Sequence, residues 1–356
     1  MRKNKKRAQK TIMYIGLVCV VAFGLITIIA IGGCGNNGSE ENNTADLRGV
    51  NLAGAEFSEN KLPGTYGGDY IYPNSSELDY YKRKCIRLIR LPFRWERLQR
   101  SLYGPLDAGE LSRLDGFIAA VRIRDMKVIL DPHNYARYHG NLIGSSQVPL
   151  SAFTDFWERV ASHYRIEESI YAYGLMNEPH NTNGRWPEIA QAGIDGIRIS
   201  DMNHLILVPG DGWSSASSWP INNADLVVID SANNFMYEAH VFFDWDGSGS
   251  YDLSYDDNGA YPKIGIDRVN IFIQWLADRG ARGFIGEYGV PGTDVRWLTV
   301  LENFLAHLEA NGVGGTYWAG GPWWGDYLLS VEPRNGKDRS QMALLTEYSG
   351  TLCPAD

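Results

Sequence analysis

Tyr171-Ala172-Tyr173-Gly174-Leu175-Met176-Asn177-Glu178-Pro179 decides how the chain is read. Tyr171–Met176 is an apolar run, long enough for a strand and too short for a helix, and the polar Asn177-Glu178 and Pro179 end it. A run without polar alternation predicts a strand buried on both faces, as in a parallel sheet covered by helices. Similar short β-rich runs recur along the chain. They are Arg48–Leu52, Ile86–Pro92, Lys127–Pro132, His204–Val208, Phe235–His240, Gly283–Gly286 and Gly314–Trp318.

Longer amphipathic stretches separate these runs. Leu111, Leu114, Ile118 and Val121 keep a helical spacing, as do Phe153, Phe156 and Val160. Ile271, Ile273, Trp275 and Leu276 follow it less strictly, and Leu298, Leu301, Leu305 and Leu308 mark another helix. Eight strands alternating with helices predict an α/β fold, a (β/α)8 TIM barrel over residues 46–356. A doubly wound open sheet is the alternative, but no Gly-rich phosphate loop follows the first strand.

Chemistry in such a barrel sits where the strands end. The residues there are Arg90, His133, Asn177 with Glu178, His240, Glu287 and Trp318. One polar residue after a strand is commonly a cap; seven functional side chains at the same end of successive strands are a site. Two carboxyls on strands four and seven face each other only if the sheet closes.

These residues carry a resemblance. Asn177-Glu178-Pro179 and Gly286-Glu287-Tyr288-Gly289, supported by Ile89-Arg90-Leu91-Pro92 and Asp131-Pro132-His133-Asn134, resemble glycoside hydrolase family 5 over roughly residues 46–350. Trp318-Ala319-Gly320-Gly321-Pro322-Trp323-Trp324 and Tyr237-Glu238-Ala239-His240 are similar to its endoglucanase branch. The resemblance implies retaining, endo-acting hydrolysis of β-1,4-glucosidic bonds in cellulose or a related β-glucan. It implies Glu178 as proton donor and acid/base, and Glu287 as nucleophile. Arg90 would keep Glu287 ionised, His240 would tune Glu178, and Asn177 would hold the sugar 2-hydroxyl. His133 would bind a sugar hydroxyl in the −1 subsite, whose floor Trp318 would form. No cofactor and no metal are implied. The rival readings are hydrolysis of mannan, xyloglucan or an exopolysaccharide, and a non-catalytic surface glycan-binding protein. The chain departs from the family at Phe242, where a Tyr normally reaches the nucleophile; Tyr251, Tyr288 and Tyr237 are the alternative hydroxyls.

Composition agrees with a sugar ligand. The chain has 11 Trp and 20 Tyr, suited to stacking on sugar rings as well as to a core. Trp213, Trp219, Trp245, Trp323 and Trp324 fall in loops after strands five, six and eight, as candidate subsites. The net charge is −9 although residues 1–33 hold six basic and no acidic residues, which leaves the remainder at −15. Such a domain repels nucleic acid and anionic surfaces, and a monomer binding a polysaccharide or oligosaccharide is expected.

Residues 1–10 are basic, 11–31 carry no charge, and Ile31-Gly32-Gly33-Cys34 is similar to a bacterial lipobox. Residues 1–33 are therefore expected to be a lipoprotein-type signal peptide with lipidation at Cys34, or an uncleaved membrane anchor, since 21 uncharged residues can span a bilayer. Both readings place the enzyme outside the cytoplasm, as an envelope lipoprotein or an anchored or secreted protein. Residues 34–45 read as a flexible tether. Cys85, expected at a strand start, and Cys353 either pair or are two buried thiols.

Asp244-Trp245-Asp246-Gly247-Ser248-Gly249 matches half of a calcium loop, but Tyr255 stands where the bidentate Glu belongs, so it reads as a Gly-rich loop beside the cleft. The stretch Ala53–Tyr80, rich in Gly, Pro and Tyr, is expected to overhang the cleft's non-reducing side or to pack over the barrel top.

Overall fold

The computed structural model describes residues 48–349. The expected signal or anchor segment, the tether, Cys34 and Cys353 lie outside the described residues. Among the described residues, eight parallel strands close into one barrel. They are β1 (Arg48–Leu52), β2 (Leu88–Phe93), β3 (Lys127–Pro132), β4 (Ile170–Gly174), β5 (Leu205–Pro209), β6 (Phe235–Phe242), β7 (Gly283–Gly289) and β8 (Gly314–Gly320). Helices Ala108–Arg122, Leu150–Tyr164, Ile264–Arg279 and Val295–Ala310 cover the barrel; in Ile264–Arg279 the buried face is Val269, Phe272, Trp275 and Leu276, while the predicted Ile271 is exposed. All eight strands were expected, with ends differing by up to three residues. No helix of the described residues is long and apolar enough to cross a membrane.

Two local features sharpen the sequence reading. The stretch Ala53–Tyr80 runs into a helix, Ser75–Arg83. Asn74 caps it and Glu77 bonds back to the Asn74 N–H, a reciprocal capping box whose signature was present in the sequence. The preceding loop is pinned by Arg97, which donates to the carbonyls of Ala55, Phe57 and Pro63. Cys85 does not open a strand; it sits in a turn at φ +62° before β2. It is disulfide-bonded, which removes the free-thiol alternative for this residue. The bond's other half lies outside the described residues.

Period-two alternation builds the barrel interior in layers. Leu88, Ile129, Ala172, Leu205, Leu207, Met236 and Phe284 form an apolar plug distinct from the larger core between strands and helices. Two residues further along the same strand faces stand Arg90, Asp131 and Glu238, and His240 follows Glu238 by another two. The polar layer thus rests on the plug because of strand pleating.

On β7 the alternation is broken. Ala239 pairs with Ile285 but His240 pairs with Glu287, so Gly286 is an extra residue in β7. The β8 pairing skips in the same place, from Gly315–Ile285 to Tyr317–Tyr288. This bulge turns Glu287 into the lumen although Phe284 already points there. Only glycine fits at 286: a Cβ would lie 2.0 Å from Glu238 Oε1 and 2.8 Å from His240 Nε2. Its carbonyl is held by Asn51 Nδ2 at 2.8 Å and Thr316 Oγ1 at 2.5 Å.

Candidate active site

Arg90 is the hub of the site. It is fully buried. Nη1 donates to Asn51 Oδ1 at 2.8 Å and to Glu287 Oε1 at 2.9 Å, and Nη2 donates to Asn177 Oδ1 at 2.8 Å. Asp131 lies 3.2 Å from Nη2 and Glu238 lies 3.0 Å from Nε. One planar, always-charged fork therefore ties together side chains from five other strands or their ends. Burial opposes its charge, but Asp131, Glu238 and Glu287 outweigh burial and raise its proton affinity.

Glu178 and Glu287 reach the same space from opposite sides. Carboxylate oxygens of the two, with a ring nitrogen of His240, all lie within 4.8 Å of one another. The same three could in principle ligate a cation, yet His240 Nδ1 is already 2.8 Å from Glu178 Oε1 and 3.6 Å from Glu287 Oε2. Glu178 sits beyond the end of β4 at φ +40°, a left-handed conformation that costs a non-glycine residue of order 1–3 kcal/mol. It is also the residue before a proline, which favours extended geometry. The turn is held by the Asn177 N–H on the Pro132 carbonyl at 2.9 Å and the Tyr135 N–H on the Asn177 carbonyl at 3.0 Å.

His240 and Glu287 shift each other's titration. Burial raises Glu287 to about 8, opposed by the positive charges of His240 and Arg90 and reinforced by Glu178. Burial lowers His240, but Glu287, Glu178 and Glu238 outweigh it and raise the imidazole to about 10. The Arg90 guanidinium, in contact with Glu287, favours that carboxyl as the ionised one.

His133 is held through both ring nitrogens. Its Nδ1 lies 2.8 Å from Asp131 Oδ2 and its Nε2 lies 3.1 Å from Asn177 Nδ2. Burial lowers its proton affinity against the pull of Asp131, so the neutral ring donates to Asp131 and accepts from Asn177. With both nitrogens engaged it orients Asn177. Its ring also stacks with Trp318 at 5.5 Å and 15°.

None of the three expected tyrosines replaces the family Tyr at Phe242. Tyr251 donates to the Gly289 carbonyl at 2.5 Å and Tyr237 to the Leu226 carbonyl at 3.3 Å, while Tyr288 is buried beside Arg48. Two other phenols have their ionisation opposed by the Glu287 charge: Tyr135, which packs edge-on to His133, and Tyr327, from the loop after β8. Tyr327 stacks on Trp324 at 4.5 Å. Burial, with the Glu287 charge, makes it hard to ionise. Asn51, Asp131, Glu238 and Tyr327 carried no assigned role in the sequence reading. Asp131 and Glu238 could have been found from their two-residue spacing after the plug residues Ile129 and Met236; Tyr327 gave no such signal.

The tryptophans separate. Trp213 is exposed, stacks on His180 at 3.5 Å and 8°, and lines a cavity of about 520 Å³ with Glu178, His240, Phe242, Ser215 and Ser217. Asp246, Gly247 and Ser248 border the same cavity, as expected for the Gly-rich loop. That loop is organised by Asp244, which accepts from Ser248 Oγ and from the N–H groups of Gly249, Ser250 and Tyr251. Trp245 is exposed outside that lining. Trp323 is exposed and stacks with Phe57 at 6.3 Å and 10°. Trp324 bonds to the Gly320 carbonyl and edges Phe57, so the loop after β1 meets the loop after β8. Trp219 is fully buried against Phe272 and Trp275 and is core, not a subsite.

A closed barrel with two carboxyls facing across its mouth, one gripped by a buried arginine, defines a glycoside-hydrolase type of enzyme. The sequence model of the cellulase family, glycosyl hydrolase family 5, matches residues 41–323, and the chain belongs to that family. It is 34% identical over 310 residues to a probable endo-beta-1,4-glucanase B of Aspergillus kawachii, covering 85% of this chain and 87% of that one. The crystal structure of Pseudomonas stutzeri endoglucanase Cel5A in complex with cellobiose superposes with TM-score 0.84 at 44% identity, over 87% of this chain and 94% of that one. XacCel5A in complex with cellopentaose superposes with TM-score 0.81 at 37% identity, over 86% and 99%.

Proposed function

We propose that the chain hydrolyses internal β-1,4-glucosidic bonds of cellulose or a related β-glucan with retention of anomeric configuration. The observation that carries this reading is the pair of carboxyls within 4.8 Å, close to the separation of about 5–5.5 Å of retaining enzymes and too close for an inverting enzyme's intervening water. The glucan assignment draws on the endoglucanases to which the chain is similar. Glu287 attacks the anomeric carbon while Glu178 gives its proton to the departing glycosidic oxygen. Glu178 then takes a proton from water, which attacks the same carbon and releases Glu287. Asn177, oriented by Arg90 and His133, faces the 2-hydroxyl, and Trp318 stacks on the sugar ring.

Glu178→Gln tests the acid role. It lowers kcat on cellulosic substrate by about 10²–10⁴-fold, whereas an aryl β-cellobioside with an acidic phenol leaving group keeps most of its first-step rate. Equal losses on both substrates exclude Glu178 as the proton donor.

The N-terminal basic and apolar segment supports export and attachment through a lipid on Cys34. Cys34→Ala should abolish labelling of the full-length protein by a fatty-acid probe in a bacterial host. Undiminished labelling rules out Cys34 as the modified residue.

A further inference from the structure

Glu238 is fully buried within the barrel, two residues before His240, and has no part in the chemistry above. Arg90 Nε lies 3.0 Å from its Oε1, and His240 Nε2 lies 3.7 Å from the same oxygen. The opposite edge of the imidazole faces the reacting pair, with Nδ1 against Glu178 and Glu287. His240 thus stands between a buried carboxylate below and two carboxyls above. The charged and titratable groups facing this cluster come from every neighbouring strand: Arg90 on β2, Asp131 and the neutral His133 on and after β3, Glu178 after β4, and Glu287 on β7. Asp131, Glu238 and Glu287 are three buried carboxylates around one guanidinium. A single positive charge leaves two negative charges unbalanced, and a buried unbalanced charge is costly. The only other cation the cluster can form is the His240 imidazolium. The glycine at 286 reserves the space for this contact, since any side chain there would strike the Glu238 carboxylate.

We infer that Glu238 is a positioning residue that holds His240 doubly protonated with Nδ1–H aimed at the carboxyl pair, and so sets the pH window of hydrolysis. This rests on Glu178 and Glu287 being the reacting pair. Removing a negative charge lowers the proton affinity of every group facing it. Glu287 then ionises at lower pH, and His240 loses its proton at lower pH. Glu238→Gln should therefore move both limbs of the kcat/KM profile towards acid by about one pH unit. KM should stay unchanged, because the buried side chain cannot touch substrate. Glu238→Asp, which restores the charge, should return both limbs towards the wild-type positions.

The ¹⁵N NMR titration of His240 gives a readout independent of turnover, with the imidazolium expected to deprotonate at lower pH in Glu238→Gln and near wild type in Glu238→Asp. Limbs that stay in place while the rate falls, or an unmoved His240 titration, overturn the role of Glu238. A fully active Glu287→Ala overturns the reacting-pair reading instead, so the two failures are distinguishable. Should Glu238→Gln not fold, Glu238→Ala takes its place, and an unmoved His240 titration in that variant overturns the role.

Discussion

Glu287→Ala abolishes hydrolysis, with kcat lower by at least about 10⁴-fold, and leaves the fold intact. The loss is this large because no other carboxyl can attack the anomeric carbon. Asp131 and Glu238 are buried beneath it, and Glu178 lies on the leaving-group side. The fold survives because Glu287 contributes one of three carboxylates crowded around Arg90, and its removal relieves excess negative charge. Melting temperature is expected at or above the wild-type value, as at other sites where function is held at the expense of stability. Added azide should enter the vacated space and restore turnover of an activated β-cellobioside, giving the α-glycosyl azide. Wild-type turnover, or rescue with a β-configured product, would show that the nucleophile lies elsewhere.

Arg90→Met should be the most damaging single change to stability in the site. It strips Asp131, Glu238 and Glu287 of their shared partner inside the barrel. Breaking a buried pair from one side costs about 3–5 kcal/mol. For a domain of this size that lowers the melting temperature by roughly 5–15 °C. Removal of a positive charge raises the proton affinity of its neighbours, so Glu287 stays protonated to higher pH. The acid limb of kcat/KM should therefore move towards alkali, opposite in sign to the shift in Glu238→Gln. Arg90→Lys should not rescue, because a point charge cannot meet Asn51, Asn177 and three carboxylates from one plane. Calorimetry and the pH profile check both effects. An unchanged melting temperature with an unmoved acid limb rules out the hub role.

These two residues show how far the sequence could be read. Arg90 was legible because it interrupts an apolar strand, and Glu178 because it ends one. Glu287 was legible as a residue type near a strand end but not as a lumen-facing side chain. Counted from Phe284, period-two alternation points it at the helices, and the bulge at Gly286 reverses that direction. A bulge depends on what the neighbouring strands present, here the Glu238 carboxylate against Gly286. Strand pairing of that kind is not contained in any local window.

The same distinction separates the other residues. Trp213 and Trp219 lie six positions apart in one loop with the same residue type, yet one is exposed beside Glu178 and the other is sealed under the helix Ile264–Arg279. His133 was legible as a polar residue after a strand, but its partners at both nitrogens, Asp131 and Asn177, were not. The helix at Ser75–Arg83 was readable from Asn74 and Glu77 but lay hidden within a stretch dominated by Gly, Pro and Tyr.

By itself the sequence determined the alternation of strands and helices, the closed barrel it implies, and the polar residues at the strand ends. Apolar period and strand length are local properties, and one chain segment carries them whole. The tertiary structure alone decided that Arg90 meets three carboxylates, that Glu287 turns inward, and that Glu238 lies under His240. Those relations join residues up to 197 positions apart, and only barrel closure brings them within hydrogen-bonding distance.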